Sequence, residues 1–172
     1  MRLRGRAAFT IVELLVVMAI ILVLAGLVLA TSSYVHNKGA RSRTEAEIAA
    51  MSAALENYKA DNGSYPAETS LDPRTDSDPT KYEAASLLLY KSLSGDMNAD
   101  RQPGSNATSY LSFKDSQLYP TQGNVQYIKD PFGNSYGYST AGETGPAKGY
   151  NPTFDLWSTA GGSNQAAWIK NW

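Results

Sequence analysis

From Phe9 to Ala30 the chain runs for 22 residues that are apolar or glycine at every position except Thr10 and Glu13. No other feature constrains its folding as much. A helix that is apolar around its whole circumference has to be surrounded by lipid, by a large protein core or by copies of itself. As an α-helix the run spans about 33 Å, against a bilayer hydrocarbon core of roughly 30 Å. Arg2, Arg4 and Arg6 precede it. Positive flanks resist translocation, so the N-terminus is placed in the cytoplasm and the remainder outside.

Beyond the run the text turns polar, and all eight prolines lie at or after Pro66. Roughly 140 residues remain, enough for one modest core and too few for two comfortable domains. The chain has no cysteine, which excludes disulfides, thiolate zinc sites, iron–sulfur clusters and a cysteine nucleophile. Its formal net charge is −1, and no basic patch follows the three N-terminal arginines, so no nucleic-acid partner is expected. Neither a glycine-rich phosphate loop nor a histidine metal motif is present.

Three readings of the N-terminal segment compete. The first is a single-pass membrane anchor, which needs only the apolar length. The second is a cleaved secretory signal, with Val28-Leu29-Ala30 before Thr31 as a small-residue cleavage site. The third rests on the junction Ala7-Ala8-Phe9-Thr10-Ile11-Val12-Glu13-Leu14-Leu15-Val16-Val17. This stretch resembles the prepilin leader of type IV pilins and type II secretion pseudopilins. The resemblance implies a peptidase cut on the cytoplasmic face at Ala8–Phe9, with alanine where the family usually has glycine. It also implies N-methylation of the new terminus at Phe9. The apolar helix then stays in the mature protein.

Glu13 is the residue whose chemistry needs an account. An ionised carboxylate costs about 2.5–3.5 kcal/mol at the centre of a membrane helix and less at its edge. Its own helix is expected to supply little. The resemblance implies that Glu13 of one subunit pairs with the Phe9 ammonium of a neighbour; the plain alternative is a carboxylate resting at headgroup level.

After Ala30, Ile48, Met51, Leu55 and Tyr58 recur at helical spacing, with Glu45, Glu47, Glu56 and Lys59 assigned to the opposite face. Asp61-Asn62-Gly63 reads as the stop. An unbroken helix from Phe9 to Asp61 would be roughly 80 Å long, with Gly26 and Gly39 as candidate bends. Its first half suits a membrane or a filament core, where Ala19, Ala25, Gly26 and Ala30 permit close approach of copies. Its second half buries one stripe against a domain.

In the head, Asp78-Pro79 reads as a helix start and Lys81 to Leu93 as a short helix ended by Ser94-Gly95. Tyr110 to Phe113 is expected as a strand inside an otherwise irregular stretch. Gln126–Lys129 and Ser135–Ser139 are expected as a hairpin around Asp130-Pro131-Phe132-Gly133-Asn134, and Thr153–Ser158 as a further strand. Asp61 to Pro66, Asp130 to Asn134, Phe154 to Ser158 and Ile169 to Trp172 look like successive landmarks of the major pseudopilin of type II secretion. In that subfamily a calcium ion often pins the C-terminal loop. Here Gly161 stands where an aspartate is common, and Asp155 with Asn164 makes a poor cage for an ion that takes six to eight oxygens. No metal site and no cofactor are assigned.

The expected fold class is α+β and pilin-like: a long N-terminal helix packed on a small antiparallel sheet. Residues 1–8 are read as a leader, 9–30 as a transmembrane or filament-core helix, and 31–172 as a periplasmic or extracellular head. His36, the one histidine, reads as a solvated helix residue, and Asp72, Asp76 and Asp78 as a solvated loop. Most of the 18 aromatics (11 Tyr, 4 Phe and 3 Trp) read as core, an exposed subset as a possible adhesive surface. No catalytic residue is assigned.

The resemblance implies a structural subunit of a type II secretion pseudopilus, held in the bacterial inner membrane by a single pass. Its partners would be prepilin peptidase, an inner-membrane assembly platform, minor pseudopilins and further copies of itself in a helical filament. Two alternatives stay open: a type IV pilus subunit for adhesion, motility or DNA uptake, and a membrane-anchored binding module that never polymerises.

Overall fold

The structure, a computed structural model, describes residues 9–145 and 147–172, with residues 29–33 described through their backbone alone. The chain divides into two compact units, the first ending at Gly39 and the second comprising Ala40–Trp172. Helix α1, Ile11–Asn62, is assigned without interruption through both Gly26 and Gly39. It stops where expected: Gly63 takes a left-handed φ of 81° and its N–H closes on the Lys59 carbonyl at 2.7 Å.

In the second unit α1 buries Thr44, Ile48, Met51, Ala54 and Leu55. Thr44 tolerates full burial because its hydroxyl donates to the Ala40 carbonyl at 2.9 Å. Glu45 and Glu56 are exposed on this helix segment as expected, alongside the alanines Ala46, Ala49, Ala50 and Ala53, whereas Glu47 and Lys59 are half-buried. Glu47 sits at the edge of the core, where it accepts a 2.6 Å bond from the Tyr136 hydroxyl.

The second helix begins with a 3-10 turn, Pro79–Tyr82, capped by Asp78, whose carboxylate accepts from the Thr80 N–H. It continues as α2, Glu83–Ser94, and ends at Gly95 with φ 74°. Its inner face is richer than the leucine pattern suggested: Tyr82, Ser86 and Tyr90 are buried beside Ala85, Leu89 and Leu93.

Five short strands follow: β1 Leu118–Tyr119, β2 Tyr127–Ile128, β3 Gly137–Ser139, β4 Asp155–Ser158 and β5 Ile169–Lys170. They form two antiparallel sheets, β1-β2 and β3-β4-β5. The architecture is therefore α+β and pilin-like, as the pattern of elements implied. Leu89, Leu93, Ile128, Tyr136, Leu156 and Trp157 join the α1 stripe in one core.

Two local expectations are corrected. Tyr110–Phe113 is not a strand, because the N–H groups of Tyr110 and Leu111 both close on the Leu93 carbonyl at the end of α2. The segment satisfies a helix terminus instead of a ladder. The turn at Asp130–Asn134 forms, but its arms are joined only by the Lys129–Ser135 bridge. They then enter different sheets, β2 with β1 and β3 with β4. The Ile128 N–H is held by the Ser86 hydroxyl of α2 at 3.0 Å, so a cross-strand partner is not needed there.

The stretch after α2, irregular in sequence, is organised around one buried acid. Asp96 accepts bonds from the Tyr90 hydroxyl and from the N–H groups of Asp100 and Arg101. Arg101, at φ 71°, then reaches the Gly123 and Pro120 carbonyls and the Asp115 carboxylate. The Asp72–Asp78 loop is likewise built rather than merely solvated. Asp76 accepts the Asp72 N–H, pairs with Lys81 at 3.3 Å, and lends its carbonyl to the buried Tyr82 hydroxyl.

Two outcomes follow from this packing. A Cβ on Gly137 would lie 2.1 Å from the Trp157 ring, so Gly137→Ala is expected to destabilise the head by about 1–3 kcal/mol or more in urea unfolding of the detergent-solubilised chain. Burial pushes the Tyr82 and Tyr90 phenols up from 10.0 to about 12, with the Asp96 bond adding to the effect at Tyr90. A raised folded pKa means the stability held by the neutral phenols is whole below pH 10. It is lost as pH climbs from 10 toward about 12, where tyrosinate absorbance and unfolding should rise together.

Candidate assembly site

Thr10 and Glu13 define the start of α1. The Thr10 hydroxyl accepts the Glu13 N–H at 3.2 Å, while Glu13 Oε2 accepts the Thr10 N–H at 3.0 Å and the Thr10 hydroxyl at 2.9 Å. The Leu14 N–H closes the first helical bond on the Thr10 carbonyl at 3.3 Å. This is a capping box, two orphan groups of the helix terminus satisfied reciprocally. Its signature, Thr-x-x-Glu ahead of an apolar run, stands in the sequence.

The expectation that the helix gives Glu13 little is corrected by this geometry, for the carboxylate is held at its own N-terminus, where the helix dipole also favours negative charge. Oε2 takes both bonds; among the described residues Oε1 accepts none. Phe9 stands one residue outside the cap and is 81% exposed. Of the sequence-selected site residues the structure therefore places Phe9 beside the Thr10–Glu13 cap; Ala8 lies outside the described residues.

The window Ile11–Val28 has a mean hydropathy of 3.1, and none of it is buried. By length and composition this helix is able to cross a membrane. His36 is exposed on the same helix, as expected.

The landmark residues of the head turn out to hold one another. Asp130 is almost fully buried; its Oδ1 accepts the N–H groups of Phe132 and Asn134, and its Oδ2 accepts the Ser158 hydroxyl of β4. Burial pushes its carboxyl above the ordinary range, and these donors act in the other direction. Asn171 accepts the Leu156 N–H at 2.9 Å and donates to the Phe154 carbonyl at 3.1 Å, tying the C-terminal segment to β4. These bonds lock turn, strand and terminus together. Trp157 and Trp168 are buried and stack on each other at 6.3 Å, whereas Tyr119 and Tyr150 are exposed, each stacked on a ring of its own chain.

A helix that begins at a capped carboxylate, exposes apolar side chains over its first part and buries one stripe of its second part under short antiparallel strands is the architecture of pilin-like proteins. Residues 3–29 match the family described as "Prokaryotic N-terminal methylation motif". The chain is 28% identical over 177 aligned positions to the type II secretion system core protein G of Pseudomonas aeruginosa, covering 100% of this chain and 99% of that protein. It is 36% identical over 66 positions to the type II secretion system core protein G of Klebsiella michiganensis, covering 38% of this chain and 46% of that protein. No solved structure matches. In fold and in its N-terminal segment the chain is pilin-like, and along its whole length it is similar to a core protein G of type II secretion.

Removing the cap tests this geometry directly. Thr10→Ala is expected to cost the first turn of α1 about 0.5–2 kcal/mol. The loss should appear as faster amide exchange at Glu13 and Leu14 in micelles, with the head's exchange unchanged.

Proposed function

We propose that the chain is a structural subunit of a type II secretion pseudopilus, made as an inner-membrane precursor and assembled through α1. Prepilin peptidase cuts at Ala8–Phe9, Phe9 becomes the methylated N-terminus, and the head faces the periplasm. The observation that carries this reading is the uncovered surface of Ile11–Val28 with one carboxylate at its entrance. Such a surface is satisfied first by lipid and then by neighbouring copies of the same helix.

In that packing Glu13 keeps its cap through Oε2 and offers Oε1 to the Phe9 ammonium of the next copy, so that a charge-assisted bond neutralises both groups away from water. The role is structural, not catalytic. Work for export comes from elsewhere, since the sequence carries no nucleotide-binding loop. The similarity to a core protein G, extending over the whole chain, supports secretion over a pilus of the adhesive or motile kind. Minor pseudopilins and the inner-membrane platform are the further partners of this reading.

Calcium does not enter it. Asp155 already gives one oxygen to the Tyr150 N–H and the other to the Asn151 N–H, and Asn164 Oδ1 accepts the Ala166 N–H. A cation there would have to displace backbone bonds, and Asp155 and Asn164 bring too few oxygens to repay it. A chelator is accordingly expected to leave the melting temperature of the purified chain unmoved.

Mass spectrometry of the protein from its native host tests the main reading: a mature N-terminus at Phe9, heavier by one methyl group, is expected. An intact Met1, or a start at Thr31, refutes it. Glu13→Leu is expected to be cut at the same bond and to yield no filaments in sheared fractions.

A further inference from the structure

The second unit carries opposite charge on the two flanks of α1. On one flank an open groove of about 520 Å³ runs between α1, the 111–117 segment and the turn after β2. Its rim bears Arg43, Lys114 and Lys129, and among the described residues none of the three has an ion pair. The two carboxylates that line it face inward: Glu47 is held by Tyr136, and Asp130 by Ser158 and backbone N–H groups. Phe113 adds an apolar wall.

On the other flank, roughly 180° round the helix, two carboxylates, Glu56 and Glu143, bear electrostatically on Tyr65. Glu56 accepts the Tyr65 hydroxyl at 2.9 Å. Thr140 joins the neighbouring segments, exchanging bonds with the Glu68 backbone and accepting the Glu143 N–H, while the Glu68 carboxylate accepts the Ser70 N–H and hydroxyl. Lys59 lies 4.4 Å from the Tyr65 ring centre, and across Glu56, Glu68, Glu143 and Lys59 the flank is net negative. Between the flanks α1 presents the exposed alanines already described together with the uncharged Ser42 and Asn57, so another surface can approach closely.

We infer that the cationic groove of one copy receives the acidic flank of the next, making a head-to-head contact within the polymer. A patch that meets a different patch on an identical molecule is a heterologous interface, and repeated without closing it generates a helix of subunits. The two patches are also offset along α1: the step from Glu47 to Glu56 is about 14 Å of helix. Successive copies joined this way are therefore displaced along the axis as well as around it. This rests on the polymer reading above and supplies the head contact that the apolar helices alone leave undefined.

The test uses the full-length chain expressed with its assembly machinery. Lys114→Glu with Lys129→Glu, and separately Glu56→Lys with Glu143→Lys, are each expected to lower sheared filament yield about tenfold, since each places like charges opposite one another. All four together are expected to restore it to near the wild-type level, which a folding defect would not do. A second measurement exploits the absence of cysteine: Lys114→Cys with Glu143→Cys should give a ladder of multimers with a short bis-maleimide, and neither single variant should. If wild-type filaments form but the reversals are harmless, or are not rescued in combination, the groove contact is wrong and the polymer stands. If the wild type forms no filaments at all, both fall.

Discussion

Among the described residues the side chains of Ile11–Val28 are uncovered, and the chemistry of the chain turns on that fact. Fourteen large apolar side chains in this window are exposed. At about 1.5 kcal/mol or more for each one withdrawn from water, their exposure would cost of order 20 kcal/mol, more than the roughly 5–15 kcal/mol that holds a domain folded. A cover for this surface is favoured by that amount. Lipid and like helices are the two surroundings that remove the cost without further protein. The Thr10–Glu13 cap belongs to the same logic: it fixes where the helix begins and gives the carboxylate at its entrance two bonds from its own chain.

The head meets a different requirement. Its strands are two to four residues long, so ladders contribute little and side-chain bonds do most of the joining. Asp130 joins its own turn to Ser158 of β4, Ser86 joins α2 to the Ile128 backbone, Asp96 joins Tyr90 to the backbone at Asp100 and Arg101, and Asn171 joins the C-terminal segment to β4. Buried polar groups of this kind are costly unless fully satisfied, and when satisfied they specify one arrangement. A head so pinned presents fixed flanks.

Much of this was legible in one dimension wherever the determinant was local. The apolar run, the stop at Gly63, the cap at Asp78-Pro79, the turn at Asp130–Asn134 and the β4 strand all rest on residues within a few positions of one another. The Thr10–Glu13 box is equally local, its Thr-x-x-Glu signature standing three residues apart. Tyr110–Phe113 misled because alternation there signals packing against Tyr58 and Tyr90, not pairing with a strand.

By itself the sequence determined that one helix would be unable to stay bare in water, that a carboxylate would mark its entrance, and that a small α+β head would follow, because hydrophobic period and chain-local capping are properties of neighbouring residues. Only the tertiary structure decided that the hairpin arms part into two sheets, that Glu47 turns inward, and that cations and carboxylates collect on opposite flanks of α1. Those outcomes depend on groups 40 to 90 residues apart competing for the same donors and acceptors, as Ser86 with Ile128 and Glu47 with Tyr136 do, and no local pattern records which of them wins.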